Sequence, residues 1–565
     1  GVQLWAINNT IPGGPKGDGS LVCDENKLVL EGTKISGTMR LRKVSHWGPA
    51  ANLGTYDMTM NGNIDDGSYE IVSTKGVKAT GKFKGSISTE EELAKTNSFA
   101  KGMGWNSYFG NGESSNGIDT GQKLVDDPKN MRHMWRSEEK SLTSWGNTAD
   151  GRYASNVMFN ALGGGASTPV CQNGKIYLYY YSPNKISGDN PKTAALLADI
   201  GTKKLSTDPY ELDAASRFYA TRADVVVVCI DGVTGKTVWK STWPLKQSNY
   251  QTHKWRGMNF TPVIADGTLY VTDYNNRSYA YDADTGDLKW EYSDMAAGDI
   301  GKDAGYRGPV VAGGFVVVGG NKIVALDPKT GKQVWAAPDN GNYKKWTTDG
   351  KDYILVEGTD TKTKIITINC LDALNGKSLW KGNTVYTSSI EYPLVSGDYS
   401  IGYRTLTDAP IAGTDGYWKV VAYKLTLNGL QLAWESEKIG IVDKIGLAAT
   451  SAVVYASGAN EVFALDINDG KQLGKIEGIG GARTQHMQVF DGRVLLDPEG
   501  RHGKTTLFFL NADPKDFKKL GSEWSGGYRT TTAYAVMPLY QGVDDGRLFI
   551  RGGDGIYGFD MRAPK

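Results

Sequence analysis

Short apolar runs separated by turn signals follow one another through the second half of the chain. Residues 261–292 show the pattern most clearly, with apolar runs at 261–264, 269–271, 278–281 and 288–292. Two of the three breaks carry a glycine, at Asp266-Gly267 and at Gly286, and glycine supplies the positive φ that a hairpin turn requires. Four short strands in each unit, with turns about every 8–12 residues, predict an all-β fold.

An aspartate, a glycine and a tryptophan recur along these units with a spacing of four residues. The complete copies are Asp231-Gly235-Trp239, Asp282-Gly286-Trp290, Asp327-Gly331-Trp335 and Asp372-Gly376-Trp380. Their aspartates are 51, 45 and 45 residues apart, a period that fits one four-stranded propeller blade. Incomplete copies stand at Asp466-Gly470, with Gly474 in the place of the tryptophan, and near residues 425, 511 and 560. Counting every copy predicts an eight-bladed β-propeller.

The recurring residues have structural roles in this interpretation. The aspartate can accept hydrogen bonds from the backbone of its own turn. The tryptophan is placed to pack between neighbouring blades, where a side chain of its size buries about 150–250 Å². We therefore predict that these residues are neither metal ligands nor catalytic acids.

The last repeat lacks its turn glycine and its fourth strand, because its pattern ends at Phe559-Asp560. The N-terminus carries Gly1 and Trp5 at the spacing of the motif. We predict that residues 1–8 supply the missing strand and close the propeller, which removes sheet edges that would otherwise invite aggregation.

The remaining sequence divides around the repeats. A short helix is expected after the apolar alternation of residues 56–83, with Thr89 as its N-cap and Glu92 as the capping-box partner. The predicted domains are residues 1–8 (closing strand), 9–102 (small inserted β domain plus short helix), 103–156 (irregular loop over the propeller) and 157–565 (eight-bladed propeller).

The pattern Ala-x-Asp-x-x-x-Gly-x-x-x-Trp, complete from Ala325 to Trp335, resembles the tryptophan-docking motif of quinoprotein (PQQ-type) β-propellers. Cysteine takes the place of the alanine at Cys229 and Cys370. The resemblance extends over about residues 160–565 and implies a bacterial periplasmic or extracellular protein. It is less informative on activity, because this propeller family includes members without a cofactor.

Charge and cysteine content exclude several classes of function. The chain has 63 basic and 62 acidic residues, so it has no electrostatic surface for nucleic acid and no polybasic anchor. No apolar run approaches the roughly 18 residues of a transmembrane helix. The four cysteines, at 23, 171, 229 and 370, are far apart, which leaves haem attachment, a zinc ribbon and a thioredoxin motif without support. Because Cys229 and Cys370 occupy equivalent positions in blades that are not neighbours, we predict that both are unpaired.

The loops that lead into the innermost strand of each blade open near the propeller axis, where a ligand site is expected. Arginine and aromatic residues recur in these loops. The predicted ligand-binding residues are Arg256, Arg307, Arg483, Arg529, Trp255, Trp346 and Glu391. Guanidinium groups pair with carboxylates and aromatic faces stack on sugars or flat cofactors, which favours an anionic or saccharide ligand. Alternatively, the arginines bridge neighbouring blades and satisfy carbonyl groups around the channel.

Catalytic candidates are few. No histidine has a metal-ligand spacing, so no metal site is predicted. His486 lies near Arg483 at a predicted strand entrance and is the leading candidate for a general base. Tyr306 and Tyr528 are the other catalytic candidates.

Three functions follow from these observations. We favour an exported binding or scaffold module without a cofactor, whose partner is a small molecule, a saccharide or a protein. The second function is a PQQ-dependent dehydrogenase. For that class the resemblance implies calcium held by Glu, Asn and Asp, an Asp base and often a disulfide between adjacent cysteines, which this chain lacks. The third is a carbohydrate-active enzyme such as a uronate lyase, in which Tyr, His and Arg would abstract a proton beside a neutralised carboxylate.

Overall fold

A computed structural model describes most of the chain. The described residues are 19–45, 52–74, 76–83, 99–100, 104–107, 110, 115, 117–139, 167–186, 221–243, 261–273, 276–294, 308–359, 366–386, 393–405, 417–440, 446–458, 460–479, 486–497, 506–525, 541–552 and 555–564. Their regular structure is β-strand, with two single-turn 3-10 helices at Pro128–Asn130 and Pro514–Asp516. This part of the chain contains no helix with the length and apolar character needed to cross a membrane. The predicted all-β fold is confirmed.

Five long antiparallel strands form the N-terminal sheet. In spatial order they are β1 (Gly19–Glu31), β2 (Lys34–Ser45), β3 (Asn52–Asn63), β4 (Asp66–Ser73) and β5 (Lys78–Phe83). Side chains alternate between the two faces of a strand, and one face gathers Met39, Leu41, Tyr56 and Ile71 into a buried apolar cluster. The sheet lies within the segment 9–102, and the helix expected at Thr89 falls outside the described residues.

Eight further sheets are numbered here in chain order. Seven contain four antiparallel strands in sequence along the sheet, and sheet 8 contains three such strands followed by β7. Two short strands precede them in the chain, β6 (Gly117–Ile118) and β7 (Arg132–Arg136). Sheets 1 to 4 are β8 (Val170–Gln172), β9 (Lys175–Ile186), β10 (Thr221–Asp231), β11 (Thr237–Trp243); β12 (Val263–Ala265), β13 (Thr268–Thr272), β14 (Ser278–Asp282), β15 (Leu288–Tyr292); β16 (Val310–Ala312), β17 (Phe315–Gly319), β18 (Ile323–Leu326), β19 (Gln333–Ala337); and β20 (Asn342–Thr348), β21 (Lys351–Thr359), β22 (Ile366–Asp372), β23 (Ser378–Asn383).

Sheets 5 to 8 follow the same plan, with one additional strand in sheets 5 and 7. Their strands are β24 (Leu394–Ser396), β25 (Tyr399–Thr405), β26 (Tyr417–Thr426), β27 (Gly429–Glu435) with β28 (Ile439–Gly440); β29 (Leu447–Ala449), β30 (Val453–Ser457), β31 (Glu461–Asp466), β32 (Gln472–Glu477); β33 (His486–Phe490), β34 (Arg493–Asp497), β35 (Thr506–Asn511), β36 (Lys519–Ser525) with β6; and β37 (Gln541–Asp544), β38 (Arg547–Gly552), β39 (Gly555–Asp560) with β7.

The sheets pack side by side through their first strands. These strands contact one another from sheet 8 to sheet 1 and onward to sheet 7. Sheets 7 and 8 share an apolar cluster that includes Leu495, Phe509, Val543 and Ile550. This arrangement is that of a β-propeller, in which the first strand of each sheet lies closest to the axis.

The tryptophan of the repeat joins each sheet to the next. Trp335 of sheet 3 donates a hydrogen bond from Nε1 to the carbonyl oxygen of Ala373 in sheet 4, at 3.0 Å. Its ring lies so close to Gly376 that a Cβ there would stand 2.5 Å from ring atom Cε3. Gly376 also has a φ of +70°, so glycine is required both by the turn and by the docked indole.

The same indole-to-carbonyl bond recurs at five other junctions. The pairs are Trp135 with Gly232 (2.7 Å), Trp239 with Ala283 (3.0 Å), Trp290 with Pro328 (2.9 Å), Trp380 with Thr426 (2.9 Å) and Trp434 with Ile467 (2.8 Å). The predicted packing of the repeat tryptophans between neighbouring sheets is confirmed.

The repeat aspartate holds its own turn, as predicted. Asp327 Oδ1 accepts hydrogen bonds from the N–H groups of Lys329 and Thr330 at 3.1 and 2.8 Å. The hydroxyl of Thr330 donates to the same oxygen at 2.8 Å. These bonds, that of the hydroxyl first, lower the pKa of Asp327. The carboxylate is therefore a turn cap.

The strand that completes sheet 8 is a different one from that predicted. β7 pairs with β39, and Trp135 stands opposite Gly558 just as Trp335 stands opposite Ala325. The prediction that residues 1–8 supply this strand is therefore wrong, because β7 occupies that place in sheet 8. Residues 1–8 themselves lie outside the described part of the chain. The motif search missed β7 because Met131, and no glycine, stands four residues before Trp135.

The junction of sheets 6 and 7 replaces the missing tryptophan with a phenylalanine. Gly474 stands opposite Ala464, in the position of the docked tryptophans. A Cβ at Gly474 would lie 2.8 Å from Cβ of Phe517, which reaches across from sheet 7. The Phe517 ring also packs on Tyr455, with ring centroids 5.8 Å apart. An aromatic side chain thus fills this junction from the opposite side.

The thiols are buried in the sheets. Cys171, Cys229 and Cys370 are free, and Cys229 and Cys370 lie in the third strands of sheets 1 and 4. The prediction that Cys229 and Cys370 are unpaired is confirmed. Burial raises the pKa of both thiols to about 12, so they are poor nucleophiles near neutral pH.

Candidate functional site

Most residues predicted for an axial ligand pocket fall outside the described part of the chain. These are Arg256, Arg307, Arg483, Arg529, Trp255, Tyr306, Tyr528 and Glu391. His486 is the first residue of β33, at the entrance of an innermost strand, and its side chain is outside the described set. The pocket formed by these residues stays a prediction.

Trp346 lies in a different place from the one predicted. It belongs to β20 rather than to the loop before it, and it is 1% exposed. Its ring packs on Tyr353 with 5.1 Å between centroids, and its Nε1 donates to Asp398 Oδ1 of sheet 5 at 3.2 Å. β20 begins at Asn342, earlier than the sequence indicates, and this draws Trp346 into the interface of sheets 4 and 5. Its role is packing.

The entrances of the first strands lie close together in sheets 1 to 3. The Thr168 N–H donates to the hydroxyl of Thr261 at 3.0 Å. A Cβ at Gly308 would stand 2.1 Å from the carbonyl oxygen of Thr261, so only glycine fits. The hydroxyl of Tyr343 donates to the carbonyl of Gly308 at 2.9 Å. The chain thus enters neighbouring sheets through adjacent points, which is the geometry that an axial pocket requires.

A segment from before the first sheet runs along the innermost strands. We call residues 104–121 the axial loop, with an entry limb at 104–107 and a return limb at 115–121. The N–H of Trp105 donates to the carbonyl of Val543 in sheet 8, and its carbonyl accepts from Cys171 N in sheet 1, both at 2.8 Å. The carbonyl of Asn106 accepts from Ile264 N in sheet 2 at 3.0 Å. The entry limb therefore crosses three sheets.

The return limb meets sheets 6 and 7, of which sheet 7 packs against sheet 8. The carbonyl of Ser115 accepts a hydrogen bond from Ala449 N in sheet 6 at 2.9 Å. β6 then pairs in parallel with β33 of sheet 7, placing Ile118 beside Phe490. The two limbs together contact the innermost strands of sheets 6, 7, 8, 1 and 2, so the axial loop lies along the inner edge of five neighbouring sheets.

Glycine allows the backbone of the axial loop to come this close. A Cβ at Gly104 would lie 2.2 Å from the carbonyl oxygen of Cys171, and one at Gly117 would lie 2.9 Å from that of Ala449. Trp105, which stands beside Gly104, is 0% exposed. The loop is therefore part of the core at the axis, held by backbone hydrogen bonds on both limbs.

A buried carboxylate lies next to the entry limb. Asp544 is 1% exposed, and its Oδ2 accepts a hydrogen bond from Gly174 N at 2.8 Å. Its Oδ1 has no hydrogen-bond partner in the described part of the chain. Burial raises the pKa of Asp544 to about 7, and the charge of Asp545 adds to the effect, although the Gly174 bond lowers it. Asp544 therefore titrates near neutral pH.

The adjacent carboxylate forms a buried ion pair. Asp545 pairs with Arg547, which is 0% exposed. Asp545 also accepts hydrogen bonds from Ala100 N at 3.1 Å and from the Gln122 side chain at 2.6 Å. The guanidinium of Arg547 stacks on Phe99, with Cζ 4.2 Å from the ring centroid. These contacts tie both ends of the segment 99–122 to sheet 8.

A second buried arginine lies further along β38. Arg551 donates to the carbonyl and the hydroxyl of Ser167 at 2.8 and 2.9 Å, joining sheet 8 to the start of sheet 1. Sequence reasoning missed Arg547 and Arg551. The sequence does contain a signal, because Arg547 and Arg551 flank the apolar run Leu548-Phe549-Ile550 and fall on the same face of the strand. Charged residues on one face of an otherwise apolar strand indicate a buried polar contact.

The sheets and their docked tryptophans define the class of protein, a β-propeller built from tryptophan-docked blades. The chain belongs to the PQQ_2 family. The sequence model of that family is described as "Outer membrane protein assembly factor BamB" and matches residues 132–342 and 223–476, together more than half of the chain. The match begins at the first residue of β7.

Curated relatives include quinoprotein alcohol dehydrogenases. The chain is 30% identical to the quinohemoprotein alcohol dehydrogenase ADH-IIG of Pseudomonas putida over 220 residues, which cover 34% of this chain and 30% of the relative. It is 32% identical over 153 residues to the dehydrogenase subunit of the quinone alcohol dehydrogenase of Acetobacter aceti, covering 23% of this chain and 20% of the relative. The alignments span less than a third of the length of these relatives.

Solved structures with a similar chain path include BamB from Moraxella catarrhalis. It is 17% identical, the alignment covers 60% of this chain and 90% of that chain, and the TM-score is 0.38.

The described residues at the axis belong to the axial loop and to the first strands of the sheets. The axis at the middle of β8 and β12 is taken by the backbone of the axial loop, and the described positions of that loop carry no cationic side chain for a tricarboxylate. Within the same part of the chain, no three His, Cys, Asp or Glu side chains are grouped to hold a metal ion. Adjacent cysteines are also absent from the sequence.

Proposed function

We propose that this protein is an exported binding or scaffold module of the cell envelope, and that it works without a redox cofactor. The observation that carries the proposal is the axial loop. It brings Trp105 to the propeller axis at 0% exposure and fixes it by backbone hydrogen bonds to sheets 8 and 1. A propeller whose own chain lies along its inner edge has less room for a deep reaction chamber and offers its loops to a partner.

The description of the matched family as an outer membrane protein assembly factor supports a protein partner. The loops before the innermost strands are the proposed contact surface. The residues predicted from the sequence to lie in those loops include Arg256, Arg307, Arg483 and Arg529, with Trp255 and Glu391. Arginine and tryptophan are the residue types enriched where binding energy concentrates in protein interfaces.

Site-specific photo-crosslinking in the living cell tests this surface. A crosslinking residue at position 307 should give one or a few defined adducts, and Arg483→Ala should reduce them. The matched control is position 332, an exposed residue in the turn that holds Gly331 and so on the other face of the propeller. Equal adducts from positions 307 and 332 would show that the predicted loops are not the contact surface.

A cofactor titration tests the absence of redox chemistry. Purified protein should show no saturable change in the absorbance of PQQ when PQQ and Ca²⁺ are added together, and no PQQ-dependent oxidation of primary alcohols with an artificial electron acceptor. One PQQ bound per chain together with alcohol oxidation would overturn the proposal.

That outcome would establish the second candidate, a PQQ-dependent alcohol dehydrogenase. The observation in its favour is the 30% identity over 220 residues to the Pseudomonas putida enzyme. In that case the loops that carry Arg307 and His486 would bind the cofactor. Arg307→Ala would then weaken PQQ binding by about 1.5–3 kcal/mol, the range of a charge-assisted hydrogen bond.

A further inference from the structure

The return limb of the axial loop is held by one carboxylate. Asp491 lies in the turn between β33 and β34, and its oxygens accept hydrogen bonds from the N–H and the hydroxyl of Thr120, at 2.5 Å each. The Thr120 hydroxyl in turn accepts from Gly546 N of sheet 8 at 3.1 Å. A single side chain therefore connects the axial loop with sheets 7 and 8.

A second carboxylate converges on the same place. The N–H of Gly121 donates to Asp119 Oδ1 at 2.8 Å and to Asp491 Oδ1 at 3.0 Å. Two carboxylate oxygens thus share one amide hydrogen. Two ionised carboxyls that accept from the same N–H repel each other, and a proton bound by the pair removes this repulsion.

The cations on the surrounding elements are engaged with other carboxylates. In the described residues these pairs are Arg493 with Asp126 (2.6 Å), Arg547 with Asp545, Arg562 with Asp560 (2.8 Å) and Lys518 with Asp516 (2.9 Å). Lys123, two residues beyond the axial loop, is exposed. Burial raises the pKa of Asp491 to about 6, and Asp119 adds to this, although the bonds from Thr120 lower it.

We propose that Asp119 and Asp491 form a proton-dependent clasp, which seats the return limb of the axial loop when the pair shares a proton and loosens it when both carboxyls are ionised. The seated limb places β6 along the inner edge of β33. A loosened limb uncovers that edge and opens the propeller axis at the face of the Asp491 turn. The clasp is a regulatory device beyond the binding function proposed above.

The direction of the pH effect follows from the position of the pKa. The Asp491 carboxyl has a higher pKa in the seated loop than the ordinary 3.8, so the seated state binds the proton more tightly than the loosened one. Proton binding stabilises the seated loop fully below about pH 4, and this stabilisation is lost as the pH rises through about 6. Acid therefore closes the axis, and neutral pH loosens the loop.

Amide hydrogen exchange measures the clasp directly. The Ala449 amide, which donates to the Ser115 carbonyl, and the Gly121 amide report on the return limb. After correction for intrinsic exchange, both should open at least about tenfold more often at pH 7.5 than at pH 5, since each pKa unit changes an equilibrium tenfold. The Ala325 amide in the core of sheet 3 should show no such change.

Two variants identify the groups responsible. Asp491→Asn keeps an acceptor for Thr120 and Gly121 and removes the carboxyl with the raised pKa, so the return limb should stay protected from pH 5 to 7.5. Asp119→Asn removes only the smaller contribution to that pKa and should reduce the pH dependence. The matched control is Glu523→Gln, which removes an exposed carboxylate of β36 in the same sheet and should leave the pH dependence as in the wild type. Wild-type pH dependence in Asp491→Asn, or stronger protection at pH 7.5 than at pH 5 in the wild type, would overturn the proposal.

A calcium titration separates a shared proton from a shared cation. Adding Ca²⁺ at pH 7.5 should leave the exchange of Ala449 and Gly121 unchanged. If Ca²⁺ restores protection in the wild type and fails to do so in Asp119→Asn, the two carboxylates bind a metal ion, and the proton clasp is rejected.

Discussion

Two junctions of the propeller are built in different ways. Between sheets 3 and 4 the interface contains an apolar cluster of Val317, Ile323, Trp335 and Ile354. Between sheets 8 and 1 the docked Trp135 stacks on Phe549 with centroids 5.6 Å apart. There, two fully buried arginines and the segment 99–122 complete the contact.

The difference lies in how the chain reaches each junction. Sheets 3 and 4 are consecutive in the chain, so packing of like repeats is sufficient to hold them together. Sheets 8 and 1 are brought together from opposite ends of the repeat array. Buried arginines are costly unless every hydrogen bond is made in the correct register, and we infer that they make the last contact specific as well as stable.

The largest effect is expected from breaking the buried ion pair of that last junction. Arg547→Met keeps much of the apolar bulk but leaves Asp545 buried without its cation, and the free energy of unfolding should fall by about 3–5 kcal/mol. Chemical denaturation measures the change. The double variant Arg547→Met with Asp545→Asn should recover part of the loss, and a double variant less stable than the single one would contradict this account.

Replacing a docked tryptophan by alanine should distinguish the two kinds of junction. Trp135→Ala and Trp239→Ala should each lower the free energy of unfolding by about 3–5 kcal/mol, the range for a buried aromatic side chain. Trp135 faces the neighbourhood of Cys171, whereas Trp239 stands opposite Cys229.

Thiol labelling of the folded variants, resolved by mass spectrometry, reports the local consequence. Trp135→Ala should expose Cys171 to labelling more than Trp239→Ala exposes Cys229, because sheets 1 and 2 remain joined through the chain. Equal labelling in the two variants would show that the junction of sheets 8 and 1 depends on its tryptophan no more than the junction of sheets 1 and 2 does.

A moderate effect of opposite sign is expected at Asp544. Its pKa of about 7 lies above the ordinary 3.8, so the ionised form costs stability, and this cost grows as the pH rises through 7. Asp544→Asn should therefore raise the free energy of unfolding at pH 8 by about 2–4 kcal/mol and change it little at pH 4, because the cost of ionising Asp544 accumulates between about pH 4 and pH 7. Thermal melts at both pH values measure it, and a variant that is less stable at pH 8 is the contrary result.

The smallest effect is expected at the junction that lacks a docked tryptophan. Phe517 is partly buried against Gly474, so Phe517→Ala should cost about 1–2 kcal/mol. The melting temperature should fall less than it does in Trp335→Ala, which serves as the control. A larger fall would show that this single ring carries the whole contact of sheets 6 and 7.

The sequence by itself determined the elements that depend on near neighbours. Each copy of the motif from Asp327 to Trp335 fixes a turn, a hairpin and a docking group within nine residues, and the apolar runs around it define the strands. These features were predicted correctly because their hydrogen bonds join residues two to four positions apart, as in the Asp327 turn.

Only the tertiary structure decided how the array is closed and what fills its axis. The contact of Ala100 with Asp545 joins residues 445 positions apart, and Trp135 completes a sheet whose other strands lie at the far end of the chain. No local periodicity encodes such a pairing. The same holds for the axial loop, whose glycines and polar residues are typical of a surface loop. These residues are buried because the innermost strands of five sheets offer them backbone hydrogen-bonding groups next to the axis.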